Sequence, residues 1–164
     1  MTFGMTVLTL VHVVISLVGI LSGFVVVFGL LASKRLDGWT AVFLTSTVLT
    51  SVTGFLFPIH RLTPGHVVGV ISLIVLAVAI YARYQRRMAG GWRQSFVISS
   101  VIALYLNVFV LIVQMFRKVP ALKAMAPTQS EAPFKIAQLV VLALFVVLAI
   151  LASIRFHDAA LRTA

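Results

Sequence analysis

Four histidines, three acidic residues and no cysteine bound the chemistry open to this 164-residue chain. His60 and His66 stand at the two ends of the short stretch His60-Arg61-Leu62-Thr63-Pro64-Gly65-His66, and His12 lies near the start of the sequence. A neutral imidazole can ligate a transition metal or haem iron, or hydrogen-bond a polar headgroup. Asn107 and Gln114 add amides, and Arg61 adds a fixed positive charge. The candidate binding residues are therefore His12, His60, His66, Arg61, Asn107 and Gln114, with His12 and His66 as the main contacts. The candidate metal ligands are His12, His60 and His66. Asp37, Glu131 and Asp158 all fall in connections, so carboxylate-driven proton transport and carboxylate-bound metal have little support. No HExxH pattern and no phosphate-cradling glycine loop with its lysine is present, so no enzyme class is indicated.

The elements that would carry these residues are membrane spans. The chain is 62% hydrophobic and 10% charged, with a mean hydropathy of +1.17, whereas soluble domains are near half apolar and a quarter charged. About 20 apolar residues cross the ~30 Å hydrocarbon core. Runs over 5–32, 39–57, 64–84, 95–116 and 135–154 meet that length, which predicts one all-α transmembrane bundle of five spans, with four as the alternative count. The first run has no basic stretch before it and no small-residue cleavage site after it, so it reads as a retained span. Pro58 ends the second run. Thr63 and Pro64 read as N-cap and first helical position of the third.

The +10 charge falls between the apolar runs as membrane-edge anchors for anionic headgroups, and nothing points to nucleic acid. Lys34, Arg35, Arg83, Arg86, Arg87, Arg93, Arg155 and Arg162 lie on one side of the predicted bundle, and Arg61, Arg117, Lys118, Lys123 and Lys135 on the other. The positive-inside bias places the larger set in the cytoplasm of a cell with an inner membrane, with the N-terminus outside and the C-terminus inside. The Pro-rich connection from Arg117 to Phe134 is long for a bundle, and Val119 to Met125 reads as a short surface turn.

His12, Ser16, Gly19 and Gly23 share one helical face, as do Thr47, Ser51 and Gly54, then Gly65, Gly69 and Ser72, and Ser100, Asn107 and Gln114. Small residues let helices approach closely in lipid, so these faces should turn inward. The excess length of the first run sets His12 at the outer boundary with His60 and His66, and the polar residues converge on the outer half. Each has a plainer role open to it: His60 as an interfacial residue, Arg61 on lipid phosphate, Asn107 and Gln114 as inter-helix glue worth ~0.6 kcal/mol each. His157, beside Asp158 and Arg155, reads as solvated.

With helical spans and His12, His60 and His66, the chain loosely resembles small bacterial transmembrane b-type cytochromes, which implies haem b. Over its whole length it resembles small bacterial inner-membrane proteins of no assigned activity. Three functions follow as expectations. The first is a membrane protein whose outward-facing polar pocket binds a small ligand or cofactor: haem, a transition metal or a quinone-like headgroup. The second is an accessory or assembly subunit of a larger membrane complex, joined to partner membrane subunits. The third is a transport module completed as a homo-oligomer.

Overall fold

The structure, a computed structural model, describes residues 3–58 and 60–156; His157, Asp158 and Arg162 lie outside them. Its helices are α1 (Phe3–Leu31), α2 (Asp37–Gly54), α3 (Pro64–Ile80), α4 (Trp92–Lys118), α5 (Pro120–Met125) and α6 (Ala132–Arg155), and no strand occurs among the described residues. The helix α3 runs on through a π-helical turn, Tyr81–Gln85. Four segments are long and apolar enough to cross a membrane: Phe3–Leu31, Pro64–Gln85, Trp92–Lys118 and Ala132–Arg155. Leu10, Ile74 and Leu139 leave more than 60% of their surface uncovered, as lipid-facing side chains do. The chain is a multi-pass helical membrane protein.

The expected second crossing is the exception. Helix α2 is shorter than the other four long segments and rich in Ser and Thr, and its 18 residues span about 27 Å at 1.5 Å per residue. Its hydroxyls turn back on its own carbonyls: Thr40 to Leu36, Ser46 to Val42, Thr50 to Ser46 and Thr53 to Leu49, at 2.6–2.8 Å. Such back-bonding lets hydroxyls enter apolar surroundings. The helix also ends earlier than Pro58 demands. Phe55 and Leu56 donate to the carbonyls of Val52 and Thr53, tightening the last turn, which frees Phe55 to cover Gly69 and Phe57 to meet His12.

Helix α4 is the centre of the bundle, touching α1, α3, α5 and α6, while α2 lies between α1 and α3. Val27, Phe43, Leu76, Phe96, Val97, Leu104 and Ala152 are almost fully buried. They lie toward the basic end, where Lys34, Arg83 and Arg155 sit. At the opposite, histidine end, Val7, Leu10, Val11 and Val14 are exposed on α1.

Glycines set the close approach. A Cβ on Gly23 would stand 2.6 Å from Leu104 Cδ1 and 2.9 Å from Phe43 Cε2, so α2 and α4 both press on bare α1 backbone. The predicted inward face of α1 is the packed one: Gly19 and Gly23 are buried, and His12 and Ser16 half-buried. Gly23→Leu must open this junction, at a cost of about 1–3 kcal/mol from overpacking. Thermal unfolding in detergent should show that loss for Gly23→Leu and almost none for Val13→Leu on the exposed face; equal effects would mean the junction is not tight.

Candidate functional site at the histidine end

His12 is half-buried on α1, and its Nδ1 lies 2.8 Å from Thr53 Oγ1 on α2. The Thr53 hydroxyl already gives its hydrogen to the Leu49 carbonyl at 2.7 Å. With its hydrogen on Leu49, Thr53 accepts from His12, and in that arrangement the neutral ring carries its proton on Nδ1 and its lone pair on Nε2. The ring meets Phe57 edge-on with centroids 5.3 Å apart, and a Cβ on Gly54 would touch Cε1 at 3.7 Å. Helix packing thus orients the His12 ring.

His66 is in the opposite state. Thr63 N–H donates to His66 Nδ1 at 3.2 Å, and the Thr63 hydroxyl lies 2.7 Å from the same nitrogen. This is a capping box with His66 in the position usually held by Glu or Gln. Because Nδ1 accepts, the neutral ring carries its proton on Nε2. Histidine ligands show the reverse, donating one ring N–H to a second group and offering the other nitrogen to the metal. Phe55 covers the His66 ring at 5.9 Å.

His60 and Arg61 are exposed on the α2–α3 turn. Among the described residues no group of three or more His, Cys, Asp or Glu is placed to hold a metal ion, so the expected set of His12, His60 and His66 does not assemble there. Two of the three have other physical surroundings, a helix cap and an exposed turn. Asn107 sits deeper. Its Nδ2 lies 3.2 Å from where a Gly19 Cβ would be, beside Thr47 Oγ1 and Ser46 Oγ, and Nδ2 and Thr47 Oγ1 have no hydrogen-bond partner among the described residues. Gln114 is half-buried near the end of α4.

An open groove of about 430 Å³ lies between α1 and α2, lined by Val14, Ile15, Val18, Ala41, Val42, Thr45, Ser46 and Leu49. None of the six predicted residues lines it. It does begin one turn below the His12–Thr53 pair, because Thr53, Leu49, Ser46 and Val42 share one face of α2. The loop before α6 is organised by Glu131, whose carboxylate accepts from the Thr128 hydroxyl at 2.7 Å and from the N–H groups of Thr128 and Ser130. The Thr128 hydroxyl bond, first among these contacts, holds the Glu131 carboxyl below its ordinary value. Gln129 pins the loop to α4 through the Val113 carbonyl at 2.8 Å.

A second polar cluster stands at the basic end, away from the predicted site residues. Asp37 pairs with Arg35 and with the buried Arg83, whose guanidinium also lies 5.2 Å from the Phe96 ring. The signal was present in the lone acid at the head of a basic connection. Thr53 carries no signal in the sequence that would pair it with His12, because a helical hydroxyl ordinarily bonds back to its own carbonyls. Comparison with family models, curated proteins and solved structures gives no match.

The capping role predicts a specific pattern. His66→Ala should lose about 1 kcal/mol of stability as the cap opens, while His66→Gln, able to accept from Thr63 N–H, should stay within about half of that loss. Thermal unfolding of the two variants in detergent decides it, and equal losses would remove the cap as the explanation.

Proposed function

We propose that the protein binds a lipid-soluble small molecule of quinol type, with a hydroxyl of its headgroup donating to His12 Nε2 and its apolar part lying in the groove between α1 and α2. The observation that carries this reading is the His12 ring held 2.8 Å from Thr53 Oγ1, one turn from an open groove lined mainly by apolar side chains. A hydroxyl donor matches an open imidazole acceptor, and a chain or ring system matches Val14, Val18, Val42 and Leu49. Bis-histidine haem ligation by His12 and His66 would require His66 to give up the cap. His60, Arg61, Asn107 and Gln114 have no direct part in this version of the site.

The reading includes α2 as a fifth crossing, since it packs lengthwise between two spans. With five crossings, the larger basic set is cytoplasmic and the N-terminus and His12 face outward. An Ala89→Cys variant tests the orientation, because Ala89 is exposed in the connection after the π-helical turn. The cysteine should resist an impermeant thiol reagent in intact cells and react after permeabilisation; labelling in intact cells would reverse the orientation.

A partner subunit with a helix in the same groove is the second reading, favoured by exposed Gly38, Ala41 and Thr45 on α2. Mass spectrometry of gently solubilised protein separates the two. Wild type should carry a hydroxylated lipophile at near-stoichiometric occupancy, His12→Leu and Leu49→Trp should lose more than about half of it, as a tenfold or greater weakening of a site near ten times its Kd implies, and His66→Gln should retain it. Equal occupancy in wild type and His12→Leu would overturn the ligand reading, and a stoichiometric membrane protein in its place would establish the second.

A further inference from the structure

Away from the histidines, the basic end carries an arginine held in a fixed position. Both tryptophans and two of the three tyrosines of the chain lie near this end: Trp39, Tyr81, Tyr84 and Trp92. Trp39, Tyr81 and Tyr84 are exposed. Aromatic side chains with a polar edge collect at the level of lipid headgroups, so this end of the bundle lies at an interface.

Two arginines there are treated in opposite ways. Arg83 is 4% exposed and is neutralised by Asp37. Arg86 is exposed and has no carboxylate partner among the described residues, yet it is held in place. Its Nε donates to the Tyr81 hydroxyl at 3.0 Å, and its guanidinium lies 5.4 Å from the Tyr81 ring and 5.5 Å from the Trp92 ring. Those two rings form an edge-to-face pair at 5.2 Å. The loop is locked behind it, with Met88 fully buried and its N–H on the Ala82 carbonyl at 2.8 Å. Arg86 therefore pays little entropy to present its terminal nitrogens, which match two oxygens of a phosphate.

We propose that Arg86, seated on Tyr81 and Trp92, binds the phosphodiester of an anionic phospholipid in the leaflet at the basic end. Charge complementarity selects the sign of the ligand: Lys34, Arg87, Arg93 and Arg155 surround this end, and Asp37, the one acid there among the described residues, is already paired. The aromatic belt selects the source, because it sets the guanidinium at headgroup depth. This site is separate from the His12 groove and does not depend on what that groove binds.

The test compares full-length protein in nanodiscs of phosphatidylcholine with and without phosphatidylglycerol. Each variant is read as its own shift in Tm on adding the anionic lipid, so a general loss of stability cancels. Wild type should gain Tm with phosphatidylglycerol, and Arg86→Gln should lose more than half of that gain. Arg86→Lys should recover only part of it, since an ammonium lacks the planar fork. Arg155→Gln, an exposed arginine at the same end, should keep the gain. Inorganic phosphate added to phosphatidylcholine discs should produce no gain. An unchanged gain in Arg86→Gln, an equal loss in Arg155→Gln, or a gain from inorganic phosphate alone would each overturn the assignment.

Discussion

The contact of bare α1 backbone at Gly23 with Leu104 of α4 and Phe43 of α2 is the constraint on which the bundle depends. Helices in lipid gain nothing from hiding apolar surface from water, so their association rests on van der Waals packing, and packing needs close approach. The pinch is placed toward the basic end of the helices. Around it Val27, Leu76, Phe96 and Val97 close into a dense core. The histidine end is left with fewer buried side chains, and the groove between α1 and α2 runs along their middle turns, from Val14 to Val18 and from Ala41 to Leu49.

A second constraint acts at the basic end. Burying a guanidinium is costly unless it is paired, and Arg83 meets that cost through Asp37 and the Phe96 ring. The π-helical turn at Tyr81–Gln85 makes the arrangement feasible. A widened turn changes the angular step between residues, and both Ala82 and Arg83 face inward while Tyr81 and Tyr84 stay exposed. The same turn places Tyr81 where Arg86 can fold back over it. The start of α2 is thereby tied to the end of α3, which holds α2 against its neighbour despite its polar composition.

The three described histidines show how local bonding decides chemistry. His12 is held by Thr53 through Nδ1, while the Thr53 hydroxyl also reaches the Leu49 carbonyl. His66 accepts at Nδ1 and completes a helix cap. His60 stands in the exposed turn. One residue type thus yields an oriented ring, a structural cap and an exposed turn residue.

Hydropathy and punctuation by themselves determined an all-helical membrane chain, the start of α3 at Thr63-Pro64 and the inward face of Gly19 and Gly23, because apolar length, proline chemistry and helical spacing are local properties. The short turn read over Val119 to Met125 corresponds to α5 in the connection between α4 and α6. The status of α2 was not legible in this way: its Ser and Thr content lowers its hydropathy, and only its seat between α1 and α3 accounts for its place. The partners of His12, Arg83 and Arg86 were equally out of reach. Thr53 lies 41 positions from His12 and Asp37 lies 46 from Arg83, and an imidazole tautomer or a buried guanidinium is settled by which helices touch and at what rotation. Spacing along one helix tells which residues share a face; only the tertiary packing decides what that face meets.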